Sequence, residues 1–388
     1  MEEGARAVVK QGIAGFMAKL DGYVGKMRIG LVTSPSAVDG QLRSTLDLLT
    51  AAGGVSALFG LEHGLRGNAQ AGEKVETGVD PRTGLPVYSL YGANLKPTKE
   101  MLEQVDCLVF DVQDVGVRFY TYLYSLLYLL EAAAEANLRI FVLDRPNPLG
   151  GEVVSGGILE ESLQSFVGYP IPIRYGLTIG EMALFFNETR RIGADLTVVK
   201  MEGWQREFTW KDTGLPWVPP SPNMPTTDTV LVYPGTCLVE GTNLSEGRGT
   251  CRPFELIGAP WVDPYAWAEE LNNLGLPGAA FRPTYFTPMF SKHKDKVCGG
   301  VQLHVLDGEQ FSPISTAVHL LSVTGSMYDE FEFLGPSKGR YFFDLLAGTT
   351  ALRELIQKRD QQGVARLLEE WEQQAQDFAA MRREYFLY

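Results

Sequence analysis

From Arg28 to Lys200 the chain alternates short apolar runs with longer helical stretches, and this alternation constrains the fold more than any other feature. Strand signals fall at Arg28–Thr33, Val55–Phe59, Pro86–Leu90, Asp106–Asp111, Arg139–Asp144 and Asp195–Lys200. Helix signals at Gln41–Ala52, Thr98–Gln104, Phe119–Ala136 and Thr178–Thr189 are interleaved with them. Strand and helix in turn imply an α/β fold with a doubly wound, mainly parallel sheet. Such sheets bind ligands in the crevice outside the carboxyl ends of their strands.

At 388 residues, with 45% hydrophobic and 11% aromatic content, the chain is too long for one ordinary core and suits two domains. Between Val218 and Pro260 periodicity fades and Pro, Gly, Thr and Asn dominate, which predicts a long, functional loop with little regular structure. Beyond Trp261 the pattern is mixed: a helix over Pro264–Leu274, a strand at Gly300–Val305, a helix after Ser312 and a terminal helix over Gln361–Phe378. The expected division is residues 1–232, carrying the parallel sheet, and 233–388, a smaller α+β domain.

A net charge of −13 argues against a nucleic-acid partner, which requires a basic surface. An anionic small substrate would need arginines close to its site. Cys107, Cys237, Cys251 and Cys298 have no CxxC spacing and read as ordinary buried or half-buried thiols, with no structural zinc. The opening Met1–Arg6 lacks a basic region followed by an apolar stretch, and Tyr120–Ala136 is too short to span a bilayer. The expectation is a cytoplasmic protein with no membrane segment, or a periplasmic or secreted one if a leader was removed. The residues carry no signal for an oligomeric state.

Three strands end in polar clusters, and a parallel sheet would bring all three to one edge. The first is Glu62-His63, in Phe59-Gly-Leu-Glu-His-Gly64. Glu62 there fits a general acid or base, and equally a loop carboxylate that caps a helix or pairs with Arg66. His63 could orient Glu62, bind substrate or relay a proton, or could be a satisfied structural histidine. The second cluster, Asp111-Val-Gln-Asp114 with Arg118 and Tyr120, ends a buried strand where carboxylates need donors. The third, Asp144-Arg-Pro-Asn147, offers Arg145 as a carboxylate fork in a loop stiffened by proline.

Thr178 and Glu181 satisfy the capping-box spacing, which explains Glu181 structurally and still leaves it near the cleft. Glu240-Gly-Thr-Asn-Leu-Ser-Glu-Gly-Arg-Gly-Thr250 sets Glu240, Asn243, Glu246 and Arg248 on a glycine-rich loop that suits a sugar or a lid better than a nucleotide phosphate. Serine-nucleophile, dinucleotide and zinc-protease motifs are missing, so no cofactor and no metal are expected.

The chain resembles the NamZ-type exo-β-N-acetylmuramidases, formerly a family of unknown function. The likeness runs through Gly60-Leu-Glu-His-Gly-Leu-Arg-Gly67, Thr83–Gly92, Phe110–Tyr122, Leu143–Pro148, Tyr175–Glu181, Pro220-Ser-Pro-Asn-Met-Pro225, Gly241–Thr250 and Arg383–Tyr388, essentially the whole chain. It implies a Rossmann-like domain, a smaller C-terminal domain and a cleft between them that removes N-acetylmuramic acid from non-reducing ends of peptidoglycan fragments. Glu62 is then the leading catalytic group, with His63, Asp111 and Asp114 beside it. Arg66, Gln113, Arg118, Tyr120, Arg145, Asn147, Tyr175, Glu181, Asn223, Glu240, Asn243, Glu246 and Arg248 are the expected substrate contacts. Tyr175 stands where relatives often carry histidine. A non-catalytic muropeptide or sugar receptor using the same cleft is the alternative.

Overall fold

The computed structural model describes residues 8–67, 77–92, 94–165 and 168–388, so the Met1–Arg6 segment lies outside the described residues. Two short helices, α1 (Gly12–Ala18) and α2 (Leu20–Tyr23), lead into the first unit. There β1 (Ile29–Thr33), α3 (Thr45–Ala52), β2 (Val55–Gly60), β3 (Gly78–Val79), β4 (Pro86–Ser89) and α4 (Lys99–Leu102) follow one another. The unit continues with β5 (Cys107–Asp111), α5 (Thr121–Ala136), β6 (Arg139–Leu143), α6 (Ile179–Thr189) and β7 (Asp195–Val199).

These strands form one sheet in the order β3-β4-β2-β1-β5-β6-β7, parallel except for the β3–β4 pair. Both β1 and β5 are buried at every position, which is why their sequences are unbroken apolar runs. In register, Thr33 at the end of β1 lies between Gly60 of β2 and Asp111 of β5. The β1–β5 junction is the topological switch point, and the polar strand ends expected from sequence do share that edge. Thr178 and Glu181 form the expected capping box at the start of α6.

The second unit begins with α7 (Thr227–Thr236) and a 3-10 turn at Cys237–Gly241. It then holds β8 (Leu256–Ala259), α8 (Pro264–Asn273), β9 (Ala279–Phe286), β10 (Cys298–Val305) and α9 (Pro313–Met327), its sheet antiparallel in the order β8-β10-β9. Regular structure here corrects the expectation of a long irregular loop over 218–260. Helix α7 is buried on nearly every side, so it shows no polar face for periodicity to reveal, and Pro234 inside it reads as a helix breaker. Tyr233 lies within α7, which packs against α9.

Helices α10 (Phe342–Ala347), α11 (Ala351–Gln357) and α12 (Gln361–Met381) carry the chain back to the first unit. There the Phe378 and Tyr385 rings meet Phe185 of α6 at 5.8 and 5.2 Å, and Tyr388 meets Trp204 at 5.2 Å. One apolar core therefore runs through both units. All four cysteines are free, with Cys251 exposed and the others buried. No helix among the described residues is long and apolar enough to cross a membrane.

Candidate active site

Beyond the end of β2 the chain turns sharply, the Gly64 amide donating to the Leu61 carbonyl at 2.8 Å, and the turn carries Glu62 and His63 over the start of α5. Thr121, the first residue of that helix, donates its hydroxyl to the Glu62 carboxylate at 2.6 Å. Tyr91 also donates to Glu62; burial and the nearby carboxylate push its phenol up to about 12. Two O–H donors and the positive end of a helix hold Glu62 in one orientation as an acceptor. His63 is buried, its ring 6.4 Å from Tyr122.

Glu62 and His63 form one wall of a cavity of about 240 Å³. The opposite wall comes from the second unit: Tyr233 and Cys237 at the end of α7, Glu240 in the 3-10 turn, Arg248 and Phe254. Edge-to-face contacts from Tyr120 to Tyr122 at 5.0 Å, Phe119 to Tyr233 at 5.3 Å and Tyr233 to Phe254 at 4.7 Å tie the walls together. Ser221, Asn223 and Met224 line a third side. Asn223 lines this side, and its buried Nδ2 has no protein partner among the described residues.

Arg248 is aimed by glycines on either side of it. Gly247 and Gly249 take φ values of 75° and 77°, and a Cβ on them would come within 2.5 Å of the Leu256 carbonyl oxygen and the Phe290 amide nitrogen. The guanidinium pairs with Glu240 at 3.0 Å and with Glu246 at 3.1 Å, and Lys292 holds Glu246 from behind at 2.9 Å. Burial works against the Arg248 charge, yet these two carboxylates keep its pKa above the ordinary value. Burial, with Glu246 adding, raises the Glu240 carboxyl above its ordinary value despite Arg248.

Of the residues expected from sequence, Glu62, His63, Tyr120, Asn223, Glu240 and Arg248 meet at this cavity, and the others do not line it. Arg145, expected to fork a substrate carboxylate, instead forks Asp111 at 2.5 and 2.9 Å with both side chains buried, and Thr45 adds its hydroxyl to the same carboxylate. The Asp111 carboxylate at the switch point is thus taken up by the protein's own groups. Arg118 donates to the carbonyls of Gly157, Ile171, Leu346 and Ala347, stapling α10 to the first unit, and burial lowers its pKa to about 10. Arg66 pairs with Asp80 at 2.8 Å.

Asp114 accepts from the Gly116 amide at 2.8 Å and from the Tyr175 hydroxyl; burial pushes its carboxyl up to about 6, and its Oδ1 has no partner among the described residues. Gln113 donates to the Asp114 and Pro146 carbonyls and Asn147 to that of Leu177. Glu181, besides capping α6, pairs with Arg206 and accepts from the Leu387 amide. Asn243 bridges to the Glu330 carbonyl and the Glu332 amide. These are structural partnerships made by polar groups that burial would otherwise penalise.

Sequence reasoning missed Tyr91 and Thr121, although both lie inside motifs it used, because only the fold brings them onto Glu62. It also missed Phe342 and Leu346, which reach the cavity from α10. A groove of about 540 Å³ elsewhere, over α4 and the end of α5, is lined by scattered Lys99, Glu103 and Glu135 and has no comparable convergence. No group of three or more His, Cys, Asp or Glu among the described residues could hold a metal ion.

Residues 29–228 match the family model described as exo-beta-N-acetylmuramidase NamZ, N-terminal, and residues 231–388 match its C-terminal counterpart. The peptidoglycan beta-N-acetylmuramidase NamZ of Bacillus subtilis (strain 168) is 50% identical over 365 residues, covering 93% of this chain and 87% of that protein. Two solved DUF1343 family proteins of Bacteroides fragilis NCTC 9343 share the fold. One has a TM-score of 0.89 at 37% identity, covering 99% of this chain and 100% of that one. The other has a TM-score of 0.79 at 32% identity, covering 98% and 99%.

Proposed function

We propose that this chain, which belongs to the NamZ family of exo-β-N-acetylmuramidases, is a glycosidase that releases N-acetylmuramic acid from non-reducing ends of peptidoglycan fragments, with acid/base chemistry centred on Glu62. The observation that carries the reading is the Glu62 carboxylate, oriented by two hydroxyl donors on the wall of a sugar-sized, aromatic-lined cavity. Glycoside hydrolysis needs a group of this kind beside the scissile bond.

N-acetylmuramic acid differs from N-acetylglucosamine by a lactyl carboxylate, so a muramidase needs a cation on the cavity wall. Of the four arginines considered from sequence, Arg248 alone lines the cavity. Arg248→Gln should therefore shrink the kcat/KM advantage of a muraminide over the matching glucosaminide, by about 10-fold or more for one charge-assisted contact.

The exo reading is tested with two disaccharides. N-acetylmuramyl-β-N-acetylglucosamine should yield free N-acetylmuramic acid, and the reverse disaccharide, with N-acetylglucosamine at the non-reducing end, should stay intact. Cleavage of both at similar rates would refute it.

A further inference from the structure

Resting on that reading, we propose that Glu240 is the second catalytic carboxyl, the proton donor to the leaving oxygen, and that the substrate's own lactyl carboxylate arms it by taking its place on Arg248. Among the described residues lining the cavity, Glu62 and Glu240 are the carboxylates and Arg248 is the guanidinium. The two carboxylates come from different units, Glu62 from the turn after β2 and Glu240 from the 3-10 turn after α7.

The four charges at this wall are unequal in their attachments. Glu246 is held by both Arg248 and Lys292, and Lys292 is also anchored on the Val239 and Thr242 carbonyls at 2.8 Å. Among the described residues the Glu240 carboxylate has its ion pair with Arg248, with the Cys237 thiol 3.4 Å away, while Lys292 reaches the Glu240 carbonyl at 3.4 Å and acts on the carboxylate through space. Arg248 can therefore exchange Glu240 for a substrate carboxylate and keep its rear anchor.

Glu240, Glu246, Arg248 and Lys292 sum to zero, and an added carboxylate leaves one negative charge in excess in a buried place. Glu240 is where a proton relieves it: burial and Glu246 raise its carboxyl, Lys292 opposes them, and Arg248, the larger opposing charge, has just been lost. Cys237 and Tyr233, which also lie against it, are both raised well above their ordinary values and stay neutral.

The steps then balance. Solvent supplies one proton to Glu240 on binding. Water attacks C1 and gives a proton to Glu62, the C1–O electron pair leaves with the departing sugar, and its oxygen takes the proton from Glu240. Exchange with solvent resets both carboxyls. A sugar without the lactyl group leaves Glu240 paired and unprotonated, so discrimination appears in kcat as well as KM.

Two measurements test this. The first compares Glu240→Gln with wild type on 4-nitrophenyl β-N-acetylmuraminide, whose leaving group needs no acid, and on the N-acetylmuramyl-β-N-acetylglucosamine disaccharide, whose leaving group does. The expected loss is about 10²–10⁴-fold on the disaccharide and under about 10-fold on the nitrophenyl glycoside, with the basic limb of the pH profile lost on the disaccharide. Equal losses on both, or none, would overturn the proposal. The second is calorimetry of N-acetylmuramic acid binding near neutral pH in two buffers of different ionisation enthalpy. Uptake of about one proton is expected in wild type and not in Glu240→Gln; no uptake in wild type overturns the exchange. If wild type cleaves neither muramide, the muramidase reading fails along with this one.

Discussion

Glu62→Gln should lower kcat on muramides by about 10²–10⁴-fold, the usual contribution of a positioned acid or base, while leaving the melting temperature nearly unchanged. The glutamine oxygen can still accept the Thr121 hydroxyl now 2.6 Å from the carboxylate, so the turn after β2 keeps its contact with α5. What disappears is the ability to exchange a proton. The loss should be of similar size on activated and natural leaving groups, because Glu62 acts on the attacking side, and that separates it from Glu240. A Glu62→Gln protein retaining more than a third of wild-type kcat would remove Glu62 from the chemistry.

Arg145→Ala should cost about 3–5 kcal/mol, the range for breaking a buried ion pair by removing one partner. Asp111 ends a fully buried strand at the centre of the sheet and takes two bonds from the guanidinium, with both side chains 1% exposed. Alanine would leave that carboxylate with the Thr45 hydroxyl as its remaining partner among the described residues, and would remove the donor that the Gln11 amide oxygen and the Val38 carbonyl share. For a chain of this length, that cost lowers the melting temperature by about 4–6 °C. The double substitution Asp111→Leu with Arg145→Met should recover most of the loss, since an apolar pair of similar volume carries no buried charge. A shift under about 1 °C in Arg145→Ala would mean that the pair does not brace the switch point.

The parallel sheet was legible because strands such as β1 and β5, covered on both faces, must be unbroken apolar runs. Helix α7 was illegible for the converse reason, since burial on nearly all sides erased its period and Pro234 looked like a stop. The same limit applies to the arginines. Arg66, Arg118, Arg145 and Arg248 sit in equally suggestive motifs, and one-dimensional spacing cannot tell an internal staple from a ligand contact. Arg118 satisfies carbonyls more than two hundred residues away in α10, a partnership that no local pattern encodes. Glu62 could be singled out because a strand end places it at the ligand-binding edge whatever its partners are. Its partners Thr121 and Tyr91 needed the fold.

Hydrolysis of 4-nitrophenyl β-N-acetylmuraminide by the wild-type protein, with the matching N-acetylglucosaminide as control, tests the central claim most directly. Catalytic release of nitrophenolate from the muraminide, with little or none from the glucosaminide, is the expected result. Equal turnover of both would contradict a cavity that selects the lactyl carboxylate through Arg248. No turnover by a folded protein that binds N-acetylmuramic acid would contradict the enzymatic reading and leave a sugar receptor in its place.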